Sequence, residues 1–244
     1  MVNPNTFFKA SLDAGKELFR SPVAVNPPPS AVERVSTSMV PIRSIGANHG
    51  ERISAHLLAL SPRDRYLRFG YAANDEQIER YVASLNFERD EIFGIYNRKL
   101  ELIAMAHLAF STHPDLKSCA EFGVSVLAQA RGRGYGARLF DRAVIHARND
   151  GVDIMFIHAL SENTAMLKIA RNAGARIERD GAESEAYLAL IPADLDSRVS
   201  EMFAEQLAQT DYRIKVQAKQ FHDFLGLLQD VRRDVSRSPD RMQF

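Results

Sequence analysis

The chain has 244 residues and a mass of 27.3 kDa, with 31 lysines and arginines against 31 aspartates and glutamates. Hydrophobic residues make up 45% of the chain and charged residues 25%, an ordinary balance for a globular protein with a real core. The net charge of zero argues against a protein built as a whole for nucleic acid, and the single cysteine excludes a disulfide framework and any multi-cysteine metal site.

No apolar run is long enough to span a bilayer, and charged residues interrupt Met1–Arg20 where a signal peptide would need an apolar block. We therefore expect a soluble cytoplasmic protein without a membrane partner.

Composition divides the chain into three segments. Residues 1–38 hold a short N-terminal helix and a proline-rich linker at Ser21–Ser38, and residues 39–191 show the alternation of a mixed α/β domain. Residues 192–244 form a C-terminal helical extension.

Hydrophobic periodicity predicts the elements of the central domain in chain order. Strands are predicted at Met39–Ile45, Glu91–Tyr96, Leu102–Phe110, Glu121–Leu127, Asp153–Leu160, Ala175–Glu178 and Ala186–Ile191. Helices are predicted from about Ile53 to Ser61, and at Asp75–Leu85, Gly134–Asn149 and Asn163–Ala173. The segments around Arg63–Tyr71 and Thr112–Ser118 are assigned to loops.

The extension is predicted to be helical at Leu195–Ala208 and Ile214–Val235. In the second of these helices, apolar residues recur every three or four positions: Phe221, Phe224, Leu225, Leu228 and Val231. Two interpretations are open. The helices pack on their own domain, or they bind a partner, for example a second copy in a homodimer.

A glycine-rich turn lies between a predicted strand and a predicted helix, at Arg131–Ala137. Successive N–H groups converge in such a turn at the positive end of the helix dipole, which favours an anion such as a pyrophosphate. Gly136-Ala137-Arg138 does not fit a Walker loop, and the glycine spacing does not fit a dinucleotide fingerprint. The run Arg131–Gly136 does match a third pattern, Arg/Gln-x-x-Gly-x-Gly/Ala.

This third pattern resembles that of the GNAT superfamily of acyl-CoA-dependent N-acetyltransferases. Glu162-Asn163-Thr164 and Ala173-Gly174-Ala175 also stand where the family has its asparagine and its Leu-Gly-Phe. The resemblance covers Met39–Ile191 and implies a mixed central sheet of six to seven strands flanked by helices. It also implies acetyl-CoA as co-substrate, held by Val124, Ser125, Val126, Arg131, Gly132, Arg133, Gly134, Tyr135, Gly136, Ala137 and Asn163.

A narrower resemblance concerns the acceptor side. Leu60–Phe69, the following helix with Ile78 and Tyr81, and Ala120-Glu121-Phe122 are similar to segments of bacterial protein-lysine acetyltransferases, in which the glutamate is the general base. Removing the proton from a lysine ammonium at pH 7 costs about 4–5 kcal/mol, which a nearby carboxylate offsets. The alternative for Glu121 is a solvated charge at the end of its strand. The resemblance also implies an oxyanion donor, the backbone N–H near Val126.

One departure from the family concerns the general acid, because Ala170 stands where a tyrosine is usual. Tyr135, Tyr187 or a water molecule are the substitutes, unless the thiolate leaves unassisted. Cys119 is expected to be a half-buried bystander rather than a nucleophile or redox switch. His107 and His158 are expected to be packed or rim residues, although His107 could face the acceptor. No metal site is expected.

The predicted reaction is acetyl transfer to a primary amine, with a protein lysine favoured over a small-molecule amine. A weakly active protein that senses acyl-CoA is the alternative from another class. Arg63, Arg65 and Arg68 are assigned to a surface cluster, with acceptor recognition as the other option.

Overall fold

The computed structural model describes residues 40–112 and 118–191, together with Glu201, Gln209 and Tyr212. The predicted N-terminal helix and linker, and most of the predicted C-terminal helices, lie outside the described residues. No helix within the described part of the chain is long and apolar enough to cross a membrane.

Seven strands and five α-helices follow one another in the described ranges. The strands are β1 (Arg43–Ser44), β2 (Glu91–Tyr96), β3 (Leu102–Phe110), β4 (Cys119–Val126), β5 (Ile154–Leu160), β6 (Arg176–Asp180) and β7 (Glu183–Ala189). The helices are α1 (Gly50–Leu58), α2 (Pro62–Phe69), α3 (Asp75–Ala83), α4 (Tyr135–Asn149) and α5 (Thr164–Asn172).

The strands form one sheet in the order β1-β2-β3-β4-β5-β7-β6. All neighbours are antiparallel except β4 and β5, which are parallel. The helical crossover through α4 makes this parallel pair possible, since parallel neighbours need a long connection. The predicted mixed sheet of six to seven strands is confirmed, and the fold class is α+β.

Each face of β4 packs against a different set of helices because its side chains alternate. Phe122 faces α4, where its ring meets Phe140 edge-on at 5.1 Å between centroids. The odd-numbered residues face α1, α2 and α3, as shown by contacts from His56 and Arg68. These three helices therefore cover the sheet face that carries Glu121.

The main difference from the sequence prediction is α2, since this segment was assigned to a loop. Pro62 occupies the first turn, and the Ser61 hydroxyl caps the helix by accepting a hydrogen bond from the Asp64 N–H at 3.2 Å. Proline near the start and serine at the N-cap favour helix initiation. The first helix ends earlier, at Leu58, and the Ser61-Pro62 pair begins the next helix, whereas the sequence prediction placed only a helix end there.

The described residues of the C-terminal extension lie on the central domain. Glu201 contacts α4, and the Tyr212 ring lies beneath the Arg43 guanidinium at 3.9 Å from its centroid. This supports packing of the extension on its own domain near these two residues. The apolar stripe from Phe221 to Val231 lies outside the described residues.

Candidate active site

The turn between β4 and α4 has the backbone geometry of an anion-binding loop. Gly132 and Gly134 have φ angles of 75° and 74°, which residues with side chains rarely adopt. Gly134 is the N-cap of α4, so the first N–H groups of this 15-residue helix lie beside the turn. The two positive φ angles and the helix dipole together fit a pyrophosphate, as expected for the phosphates of CoA.

Arg131 ties this turn to α2. Its Nη2 lies 2.5 Å from Asp64 Oδ1, and its Nε donates to the Val126 carbonyl at 3.3 Å. Burial raises the pKa of Asp64, but hydrogen bonds from Ser61 and Arg131 outweigh burial and lower it. The Arg131 side chain remains 49% exposed, so a ligand can reach it.

The sheet opens between β4 and β5 directly beside this turn. The two strands pair only from Cys119 opposite Ile154 to Glu121 opposite Phe156, although β4 continues to Val126. Beyond Glu121, the described residues of β4 pair with β3 alone. The result is a cleft with one free strand edge.

Backbone register shows which groups of β4 face the cleft. The Leu127 N–H donates to Ile103, which makes Val126 and its partner Ala104 a non-hydrogen-bonded pair on that side. The N–H groups of Val126 and, two residues earlier, Val124 therefore point towards β5. Both are available to an extended ligand lying along the edge, as the sequence prediction requires of pantetheine.

Ser125 is oriented differently from its two neighbours. Its backbone pairs with Met105 of β3, and its hydroxyl lies 2.8 Å from His56 Nε2. His56 Nδ1 lies 2.8 Å from the Leu102 carbonyl, so Nδ1 carries the ring proton and Nε2 accepts from Ser125. Burial lowers the pKa of His56 to about 4, with a further contribution from the Arg68 charge, so the ring is neutral. Both the side chain and the backbone of Ser125 are thus directed away from the cleft.

Asn163 lies across the cleft, at the start of α5. Its Oδ1 accepts from the Met166 N–H at 3.2 Å, and its Nδ2 donates to the Leu67 carbonyl at 3.4 Å. Leu67 belongs to α2, which Arg131 contacts from the other side of the cleft. The helix α2 therefore bridges the two separated strands.

Glu121 lies where β4 and β5 separate, since it is the last residue of β4 that pairs with β5. Its side chain is partly buried, and within the described ranges no side chain lies in hydrogen-bonding or ion-pair distance of its carboxylate. Burial raises the pKa of Glu121, and the positive charge of Arg68 is the largest opposing effect. A carboxyl group with a raised pKa in a cleft is suited to accept a proton.

A chain of hydrogen bonds runs beside Glu121 and ends at Arg68. Arg68 Nη2 donates to Tyr81 Oη at 3.0 Å, and Tyr81 Oη lies 2.7 Å from His107 Nδ1. His107 Nε2 lies 3.2 Å from Asp90 Oδ2, and Arg89 holds the same carboxylate at 2.6 and 2.8 Å. Burial raises the pKa of Asp90, but bonds from His107 and Arg89 lower it to about 2.

Sequence reasoning found only part of this chain. Arg68 was assigned to a surface cluster with acceptor recognition as the other option, and His107 was given a role at the acceptor only as an alternative. Tyr81 was placed in the apolar stripe of its helix and in the region that resembles the acceptor side, without a hydrogen-bonding role. Asp90 was missed, because nothing local to it shows that it pairs with a residue 17 positions away.

The candidates for a general acid differ in their surroundings. Ala170 is fully buried in α5, and Tyr187 donates its hydroxyl proton to Glu185. Burial and the hydrogen bond to Glu185 raise the pKa of Tyr187, which makes it a weaker proton donor. Tyr135 begins α4 beside the anion-binding turn.

The other reactive side chains lie in structural surroundings. Cys119 is 3% exposed, and burial together with the Asp153 charge raises its pKa to about 11. His158 lies 3.8 Å from both Glu183 and Glu185. No group of three potential metal ligands occurs among the described residues.

The comparisons with known proteins agree with this geometry. Residues 57–175, just under half of the chain, match the family model described as the acetyltransferase (GNAT) family. The central domain therefore has the GNAT fold, and its similarity to this family supports an enzyme of the N-acetyltransferase class. A search of curated protein sequences found no match.

Several solved structures share the fold at low sequence identity. The GNAT domain of S. lividans PAT is 20% identical, with a TM-score of 0.52 over 61% of this chain and 89% of that one. An N-acetyltransferase from Staphylococcus aureus is 16% identical, with a TM-score of 0.50 over 62% and 98%. A ribosomal-protein-alanine N-acetyltransferase from Brucella melitensis is 16% identical, with a TM-score of 0.50 over 61% and 99%.

Proposed function

We propose that this protein transfers an acetyl group from acetyl-CoA to a primary amine, with Glu121 as the general base and a protein lysine as the acceptor. The observation that carries the proposal is the position of Glu121. Its carboxylate lies at the point where β4 and β5 separate, beside the strand edge that would hold the thioester.

The reaction needs a neutral amine. Glu121 takes a proton from the ammonium, directly or through one water molecule, and the amine nitrogen then bonds to the acetyl carbonyl carbon as the carbon–sulfur bond breaks. Acetyl-CoA supplies the acetyl group, and the sulfur leaves as a thiolate that takes up a proton. The Val126 N–H faces the cleft and is the candidate donor to the carbonyl oxygen as its negative charge grows.

The preference for a protein lysine rests on α2. This helix is formed by the segment that resembles the acceptor side of protein-lysine acetyltransferases, and it lies over the same face of β4 as Glu121. On the other flank of that face, Glu185 and Glu183 of β7 lie on the side of the sheet that carries His158. Their negative charge favours a cationic acceptor.

Release of free thiol from acetyl-CoA tests the proposal. The purified chain is mixed with acetyl-CoA and a panel of lysine-containing proteins, polyamines and amino acids, and Glu121→Gln is assayed with the best acceptor. We expect kcat to fall by about 10²–10⁴-fold in Glu121→Gln. The dissociation constant for CoA, measured by calorimetry, should stay within twofold of the wild-type value.

The matched control is Glu76→Gln, which removes a carboxylate from an exposed position on α3. Its kcat should equal that of the wild type. Unchanged turnover in Glu121→Gln would remove Glu121 from the role of base, and turnover with small amines alone would remove the protein lysine.

The buried Ala170 favours a second candidate function. Without the family's tyrosine at this position, the protein is a candidate sensor that binds acyl-CoA but turns it over poorly. Saturable CoA binding with no thiol release from any amine in the panel is the result that would favour the sensor.

A further inference from the structure

Arg68 reaches from the last turn of α2 onto the surface of β4. A Cβ atom built on Gly123 would lie 2.8 Å from the central carbon of the Arg68 guanidinium and 2.8 and 2.9 Å from its two terminal nitrogens. The planar guanidinium therefore rests against the strand at a position that only glycine leaves open. Glu121 is two residues earlier on the same face of β4, about 7 Å along the strand.

The hydrogen-bond chain holds the guanidinium in this position. Tyr81 Oη accepts from Arg68 and lies 2.7 Å from His107 Nδ1. His107 Nε2 lies 3.2 Å from Asp90 Oδ2, and the Asp90 carboxylate also accepts from the Phe110 N–H at 3.2 Å. These contacts link the arginine to the buried aspartate without a break.

We propose that Arg68 is a positioning residue for Glu121: its guanidinium, fixed against Gly123 by Tyr81, His107 and Asp90, keeps the Glu121 carboxyl in its ionised form. The proposal rests on the proposed function of Glu121 and adds a second residue to that site. Arg68 touches neither reacting group in this role and acts only through its charge.

Among the charged groups around Glu121, Arg68 stabilises the ionised carboxylate most. Burial raises the pKa of Glu121; Arg68, His158 and His107 lower it, in that order of size, and Glu185 raises it. These groups come from α2, β5, β3 and β7, and Tyr81 of α3 faces the same space with an uncharged hydroxyl.

The balance between burial and the Arg68 charge matters, because a general base must be ionised before it accepts a proton and must also bind that proton well. Burial alone raises the pKa of the carboxyl and so disfavours the ionised form, which is the form that accepts a proton. A direct ion pair would make it too weak a base. Arg68 lies at an intermediate separation, since no side chain in the described ranges is within ion-pair distance of Glu121.

The test measures the titration of Glu121 itself. The full-length chain is labelled with ¹³C at glutamate side-chain carboxyls, and the Glu121 signal is assigned by its loss in Glu121→Gln. We expect Arg68→Gln to move the titration midpoint of Glu121 to higher pH by about one unit or more. Arg68→Lys should restore most of the shift, because it restores the charge.

The matched control is Arg80→Gln, which removes an exposed arginine from α3 and should leave the midpoint unchanged. Gly123→Ala displaces the guanidinium without removing it, and Tyr81→Phe removes its acceptor, so both should move the midpoint in the same direction by less. They also serve if Arg68→Gln fails to fold. In active variants, the acid limb of the pH profile of kcat/KM should follow the midpoint.

An unchanged midpoint in Arg68→Gln, or in both Gly123→Ala and Tyr81→Phe, overturns the proposal. So does an Arg68→Lys variant that titrates like Arg68→Gln. The titration needs no substrate, so it is read independently of turnover. A shifted midpoint in a chain that acetylates nothing would instead overturn the proposed function.

Discussion

Two glutamates of this protein have an arginine and histidines nearby, but only one of them bonds directly to these neighbours. Glu201 of the C-terminal extension lies 2.7 Å from Arg142 Nη1 and 2.7 Å from His146 Nδ1, and it also accepts from Asn149. Glu121 likewise has an arginine and histidines around it. Within the described residues, however, its carboxylate accepts no hydrogen bond.

The difference appears in their acidity. Burial raises the pKa of both groups, but the bonds from His146 and Asn149 and the Arg142 charge lower the pKa of Glu201 to about 2. Charges near Glu121 only partly offset burial, and its pKa stays raised. Residue types alone therefore do not separate a structural carboxylate from a reactive one; direct hydrogen bonds do.

The largest expected effect is on turnover. Glu121→Gln should lower kcat by about 10²–10⁴-fold. Glu201→Gln should leave kcat within twofold, because the Glu201 carboxylate contacts the second half of α4 and not the turn at its start. Steady-state kinetics with the same acceptor measures both. Equal losses in the two variants would show that the contrast between the sites is not functional.

The second expected effect is on stability. Glu201→Gln should lower the free energy of unfolding by about 2 kcal/mol, because it removes the ion pair with Arg142 and weakens the charged hydrogen bond with His146. Denaturant titration of the full chain measures it. A loss well below 1 kcal/mol would mean that the extension contributes little at this point.

The pH dependence of this loss follows from two shifts of opposite sense. The folded pKa of Glu201 lies below its ordinary 4.5, so its contribution is complete above that value and is lost as pH falls towards 2. The pKa of His146 is raised above 6.5, against the effect of burial, by its bond to Glu201, so its contribution is lost as pH rises past 6.5. The difference in unfolding free energy between wild type and Glu201→Gln should be greatest between pH 4.5 and pH 6.5.

The same comparison shows how far sequence reasoning reaches. The strands β2 and β3 begin and end as predicted, because each has a clear apolar run bounded by polar turns. The glycine-rich turn was also predicted, because Gly132 and Gly134 mark it in the local sequence. The guanidinium of Arg68 rests on Gly123, 55 positions away, and Glu201 contacts residues of α4 that are 52 to 59 positions away. No local sequence pattern encodes such contacts.

A smaller effect of opposite sign is expected for Glu121. The folded pKa of Glu121 is above the ordinary 4.5, which means that the ionised carboxylate destabilises the folded state and the protonated carboxyl does not. Stability therefore falls as pH rises from 4.5 through the folded pKa. Glu121→Gln should therefore raise the Tm at pH 8 and leave it nearly unchanged at pH 4. A lower Tm at pH 8 would mean that the ionised carboxylate is bonded after all.

The smallest effect concerns Cys119, which lies two residues before Glu121 on the same face of β4. Burial also raises its pKa, to about 11, but the thiol is 3% exposed, below the packed rings of Phe156 and Tyr187. At pH 8 the native chain should react with Ellman's reagent far more slowly than the denatured chain, because little thiolate is present and the sulfur is covered. Rapid reaction would show that the face around Glu121 is open as far as Cys119, so burial could not explain the raised pKa of Glu121. Slow reaction would mean that this face of β4 meets solvent only in the cleft beyond Glu121. A carboxylate that accepts a proton has to lie at such a place.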